Sequence, residues 1–89
     1  MTPVPEISRF FGIVIKMFYN DHRVPHFHAE YGEHKATFAI ESLGLLAGKL
    51  PTRQHLFVVE WALAHQTELL ADWDLARGRQ PLIPVAPLE

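Results

Sequence analysis

The chain has 89 residues, no cysteine and a net charge of −2 at neutral pH, and 48% of its residues are hydrophobic. This length predicts one domain, and the balance of apolar and charged residues excludes a disordered chain. Without cysteine there are no disulfides and no thiolate metal ligands. The charge lacks the basic excess of typical nucleic-acid-binding domains. With no signal-peptide pattern and no long apolar run, the sequence predicts a cytoplasmic protein.

The order of local patterns predicts an α+β fold, in which three or four N-terminal strands form an antiparallel meander. One long helix or two short helices and an extended C-terminal tail follow it. The single predicted domain, residues 1–89, divides into an extended arm (1–11), an antiparallel sheet (12–50), a helical segment (52–78) and a tail with regularly spaced prolines (80–89).

A hairpin is the clearest element of the predicted sheet. Glycine at the first central position of Gly32-Glu33 suits a type II′ turn between strands 26–31 and 34–41. Since side chains alternate along a strand, this register separates two faces. The apolar face holds Phe27, Ala29, Tyr31, Ala36, Phe38 and Ile40, and the polar face holds His26, His28, Glu30, Lys35, Thr37 and Glu41. We therefore expect the first set to be buried and His26 and His28 to lie on the opposite face.

The helical segment opens at Pro51 and Thr52, where Thr52 is the predicted cap, and Gly78 is its predicted stop. A single helix of this length would be too long for so small a core, so we expect a break near residues 65–67. Asp72 and Asp74 are expected to lie on a solvent-exposed face of this helical segment. The segment from Leu56 to Ala64 is apolar nearly all round, which predicts a homo-oligomer or a complex with a small partner protein, with the tail reaching across.

A histidine cluster is the chemically distinctive feature. His26 and His28 are two residues apart on a strand, so both rings leave the same face and can converge on one ion. The candidate metal ligands are His22, His26 and His28, and Asp21 and Glu30 are possible additional site residues. Neutral imidazole suits several divalent metals, including zinc, so the pattern does not name the ion. Two alternatives stay open: a plain solvated face, and a surface that uses these rings as hydrogen-bonding or acid–base groups.

Several segments together resemble a bacterial family, the domain-of-unknown-function family numbered 4160. They are I-S-R-F-F-G-I-V-I-K-M-F (7–18), N-D-H-x-x-P-H-F-H-A-E-Y (20–31), E-W-A (60–62), E-L-L-x-x-W (68–73) and P-L-I-P-V-A-P-L (81–88). The residues that match its hallmark segment are Asp21, His22, Pro25, His26, Phe27 and His28, and the family assigns them no role. The resemblance also implies a partner, since such genes often sit beside a family numbered 2442, in pairs likened to toxin–antitoxin modules.

The hypothesis is therefore a small interaction protein that belongs to a toxin–antitoxin-like pair. The alternatives are a small histidine-dependent nuclease or hydrolase and a divalent-metal-binding module, both using the P-H-F-H segment. Whether the protein is an enzyme stays open at this point.

Overall fold

A computed structural model describes residues 5–19 and 23–89 of the chain, which form an antiparallel sheet followed by helices. Within these residues the strands are β1 (Glu6–Phe10), β2 (Ile13–Lys16), β3 (His26–Tyr31), β4 (His34–Ala39) and β5 (Leu45–Gly48), and the helices are α1 (Thr52–Ala64) and α2 (Gln66–Arg77). The α+β class is confirmed. The meander is larger than expected, because a strand forms inside the segment predicted as an extended arm.

The strands lie side by side in chain order, and each pairs with its sequence neighbour in antiparallel orientation. The predicted β3–β4 register is confirmed, since His28 lies opposite Thr37 and Glu30 lies opposite Lys35. Gly32 has a φ of +58°, which glycine adopts without the steric cost of a side chain. This register positions His28 beside Thr37 of β4, whereas His26 lies opposite Ala39.

The core lies between the sheet and α1. The indole of Trp61 packs against Phe27 and Phe10, with ring centroids 5.8 and 5.3 Å away. Phe38 stacks on Phe27 at 5.5 Å, and both phenylalanines are fully buried. The apolar face predicted from the hairpin therefore covers the helix-facing side of the sheet.

The break between the helices is where the length argument predicts it. The first helix ends at Ala64 and the second begins at Gln66, with His65 between them. Thr52 is the first helical residue and not the cap, because Pro51 occupies the cap position, and no side chain caps this helix. Gly78 ends α2 as expected.

The proline-spaced tail lies against its own chain. The backbone N–H of Val85 donates to the carbonyl of Ile7 at 2.8 Å, and the indole N–H of Trp61 donates to the carbonyl of Ala86 at 2.8 Å. Val85 is buried. The tail therefore packs against β1 and α1 of its own chain, and the expectation that it also reaches another chain stays a prediction.

Candidate functional site

His26 is the first residue of β3 and is almost fully buried, with 3% of its surface exposed. Its ring centroid lies 5.0 Å from that of Trp73 in α2. The start of α2 is held at this end of the sheet, because the Gln66 side-chain amide donates to the carbonyls of Ile40 and Glu41 at 2.9 and 3.1 Å. His26 was expected on a polar face away from the core, but α2 covers that end of the face.

A backbone contact determines which nitrogen of the neutral His26 ring carries the hydrogen. Nδ1 lies 2.7 Å from the carbonyl oxygen of Val24, and since a carbonyl only accepts, Nδ1 carries the proton. In the neutral ring the lone pair is then on Nε2. This is the tautomer that a histidine uses when Nε2 binds a metal or accepts a proton.

His28 lies beside His26, as the two-residue spacing predicts. The two rings are 5.1 Å apart, centroid to centroid, and nearly perpendicular. The Nδ1 atom of His28 is 3.2 Å from the Thr37 hydroxyl on β4, and its ring lies 4.3 Å from that of Phe18. The structure therefore brings together two imidazoles, a phenyl ring and a hydroxyl.

Of the other predicted site residues, the structure describes Glu30. The Glu30 carboxylate accepts from the Lys16 ammonium at 3.1 Å, which engages it away from the histidine pair. Asp21 and His22 lie outside the described residues. Within residues 5–19 and 23–89, no three His, Asp or Glu side chains are grouped to hold a metal ion. The predicted metal site, with His22, His26 and His28 as its ligands, stays a prediction.

A pocket of about 320 Å³ opens on the face of the sheet that α1 leaves uncovered. Its walls include Phe18, His28, Glu30, Lys35, Thr37 and Gly48. Phe18 was not among the predicted site residues. The signal was available in the sequence, because Val14, Lys16 and Phe18 alternate along β2 and its continuation, in phase with the polar face.

Asp72 of α2 is a second unpredicted feature, since only 1% of it is exposed instead of the solvated face expected. Desolvation by burial raises the pKa of its carboxyl above the ordinary 3.8, although the hydrogen bond from the Ile83 N–H acts in the opposite direction. The buried residues Leu69, Asp72, Trp73 and Ala76 have helical spacing. That spacing alone places Asp72 on the inner face.

Comparison with known proteins gives one family match, to the model described as Domain of unknown function (DUF4160), over residues 12–74. The matched region runs from the start of β2 into α2 and includes both site histidines. No curated protein and no solved structure matches the chain. In the part of the chain that the structure describes, neither helix has the length and apolar character to cross a membrane.

Proposed function

The chain belongs to the DUF4160 family, and from the outer face of its first helix we propose that it is a protein-interaction component of a toxin–antitoxin-like pair. The observation that supports the proposal is the exposure of two leucines on α1. Leu56 is 61% exposed and Leu63 is 64% exposed. Residues seven apart lie two turns apart on one side of a helix, so these side chains form one apolar stripe.

An aromatic cleft adjoins the leucine stripe and enlarges the apolar surface. Phe11, at the β1–β2 turn, is 54% exposed and lies 5.1 Å from the Phe57 ring of α1. Arg53 and Glu60 border the same cleft. Large exposed apolar patches are uncommon on monomers and mark interaction sites, which favours a binding surface here.

The backbone of Phe11 adds a second argument for this surface. Its φ is +49°, in the left-handed region, where a bulky residue costs about 1–2 kcal/mol. Gly12, which follows it, also has a positive φ, as the turn requires. Strain of this kind is often found at functional sites, and here it presents an aromatic side chain to solvent.

The partner we propose is a different protein and not a second copy of this chain. If two α1 helices packed antiparallel about a point midway between Leu56 and Leu63, their Glu60 carboxylates would meet near the axis. Like charges in such a contact are unfavourable. A partner with an apolar stripe and a basic residue opposite Glu60 avoids this repulsion. The resemblance to the family's gene pairs, and not this geometry, names the candidate: we propose a small protein of the family numbered 2442 in the same cytoplasm.

Co-expression with the neighbouring gene product of that family tests the proposal. We expect the two proteins to co-purify and to sediment as one complex, and growth inhibition by one member to be relieved by the other. Leu63→Glu should abolish the complex, whereas Leu46→Glu, at an exposed leucine on β5, should leave it intact. Circular dichroism of both variants is the control for folding. A homodimer that Leu63→Glu dissociates, or no complex at all, contradicts the proposed partner.

The second candidate is a histidine-dependent hydrolase or nuclease, or a divalent-metal module, at His26 and His28. What favours it is the His26 tautomer, with its proton on Nδ1 and its lone pair on Nε2. Phosphodiester cleavage of RNA by the purified chain tests the enzyme. The activity should be lost in His28→Gln and kept in His34→Gln, whose ring is exposed on β4. Equal cleavage by both variants contradicts a role for His28.

A further inference from the structure

Beyond the end that α2 covers, the face of the sheet away from α1 has its own chemistry, separate from the surface of α1. Antiparallel partners share a face, so Lys16, His28 and Thr37 lie together on the side opposite the buried Phe27 and Phe38. The pocket of about 320 Å³ lies on this side. Its volume is at the lower end of the range for small-molecule sites, which suits a group about as large as one or two rings.

The pocket offers an aromatic platform. Phe18 is 38% exposed, and its ring centroid lies 4.3 Å from that of His28. The contact between His28 Nδ1 and the Thr37 hydroxyl, at 3.2 Å, fixes the orientation of the imidazole. The planes of the two rings are inclined by 58°, so the partly exposed phenyl ring presents one flat apolar face on which a planar ring stacks, with the imidazole at its edge.

Small residues leave the space above the platform open. Ala47 lies opposite Thr37, and Gly48 lies opposite Ala36. Gly48 has a φ of +67°, and a Cβ at this position would lie 2.0 Å from the backbone carbonyl oxygen of Lys35. Glycine is therefore required where β5 passes β4, and no side chain from this position fills the pocket.

The charge at the pocket is positive on one side. Lys16 and Glu30 form an ion pair at 3.1 Å, so their charges largely compensate. Lys35 lines the same pocket and is exposed, and it forms no ion pair with any residue in the described ranges. A ligand that joins a planar ring to an anionic group would place each part against a matching surface.

We propose that this pocket binds a nucleotide, with the base stacked on Phe18, the His28 imidazole at the edge of the base, and the phosphate at Lys35. An exposed sheet face with aromatic side chains and neighbouring cations is a surface on which unpaired bases are bound, because every base has a face that stacks. The nucleotide can be a free mononucleotide or one unit of a single strand, since the recognised chemistry is the same. This site does not depend on the protein partner proposed for α1.

Calorimetric titration with AMP, adenosine and a short adenylate oligomer tests the site. Phe18→Leu keeps an apolar side chain but removes the ring, and it should weaken AMP binding about tenfold. Lys35→Gln should weaken AMP binding about fivefold and leave adenosine unchanged, because adenosine has no phosphate. The matched control is Lys49→Gln, at an exposed lysine outside the pocket, and it should not alter binding.

The titrations distinguish a free nucleotide from a nucleic-acid single strand as the ligand. Equal affinity for AMP and for the oligomer identifies a free nucleotide, and tighter, salt-sensitive binding of the oligomer identifies a single strand. The proposal is overturned if the wild-type chain binds none of these ligands. It is also overturned if Phe18→Leu binds AMP as well as the wild type does, or if inorganic phosphate competes as strongly as AMP.

Discussion

The carboxylate of Asp72 accepts a hydrogen bond from the backbone N–H of Ile83 at 2.8 Å, and this contact joins α2 to the tail. A carboxylate with 1% exposure is unusual, and burial raises the pKa of Asp72. Its second oxygen, Oδ2, is buried with no hydrogen-bond partner among the described residues. The attachment of the tail is therefore linked to the protonation of one buried acid.

Replacing Asp72 with asparagine should change how stability depends on pH. The folded state holds the Asp72 proton more tightly than the unfolded chain does. Protonation therefore stabilises the fold below the ordinary pKa of 3.8, and this contribution is lost as the pH rises through the raised folded value. The free energy of unfolding of Asp72→Asn should thus improve relative to wild type as the pH rises from about 3.5 to about 7. Urea unfolding across this range measures the difference.

Asp74→Asn is the matched control for this prediction, because Asp74 is exposed on the same helix. The gap between its free energy of unfolding and that of the wild type should stay nearly constant over the same range. If the free energies of unfolding of Asp72→Asn and of the wild type change in parallel with pH, Asp72 titrates alike in the folded and unfolded chains and the linkage is absent.

Removal of the tail should lower the free energy of unfolding and leave the oligomeric state of the chain unchanged. A chain ending at Arg79 loses the buried Val85 side chain and the hydrogen bonds that reach Ile7, Trp61 and Asp72. After the entropy of ordering the tail is subtracted, we expect a loss of about 2–4 kcal/mol in the free energy of unfolding. Chemical unfolding and sedimentation of both chains measure the two effects.

Ile83→Ala in the full chain is the control, because the Ile83 side chain is 63% exposed while its N–H still donates to Asp72. It should change stability by less than about 0.5 kcal/mol. A full-length dimer that separates on truncation would instead make the tail part of an interface between chains.

Truncation of Phe38 should be severe. Its side chain is fully buried and stacks on Phe27 at 5.5 Å, so Phe38→Ala removes contacts and leaves a cavity. The expected loss is about 3–5 kcal/mol, enough to unfold a domain of this size. Phe11→Ala, at a residue that is 54% exposed, should cost far less. Thermal unfolding ranks the two variants, and similar losses would show that the core does not depend on the Phe27–Phe38 stack.

Metal binding is tested by titration of the purified chain with zinc, cobalt or nickel. If the predicted site exists, one ion binds and the His26→Gln, His28→Gln double variant loses it. Glutamine is preferred to alanine because His26 is packed against Trp73. Since ligand histidines must be deprotonated, affinity should fall below about pH 6.5. Binding that survives the double variant, or that His34→Gln removes, places the ion elsewhere.

The parts of the fold that depend on local pattern could be predicted. Strict alternation around Gly32 determines the β3–β4 register, because a slip by one residue would exchange the two faces. The same alternation does not predict strand β1. A bulge between Glu6 and Ser8 buries both Ile7 and Ser8, which breaks the alternation that identifies a strand.

The candidate site was predictable only in part, for a related reason. The proximity of His26 and His28 follows from a spacing of two along one strand. The burial of His26 depends on where α2 lies relative to the end of the sheet, and no pattern within β3 reports that position. For Asp72 the helical spacing was informative, but a carboxylate was assumed to face water.

The contact between Ile7 and Val85 has a consequence for the kinetics of folding. Neighbouring strands of the meander meet after short loops, so the hairpins close at low entropic cost and should form early. Nearly the whole chain separates Ile7 from Val85, so their hydrogen bond should form late. Contacts made after the rate-limiting barrier mainly slow unfolding. The tail should therefore dock after the rate-limiting step, so that it lowers the rate of unfolding without raising the rate of folding.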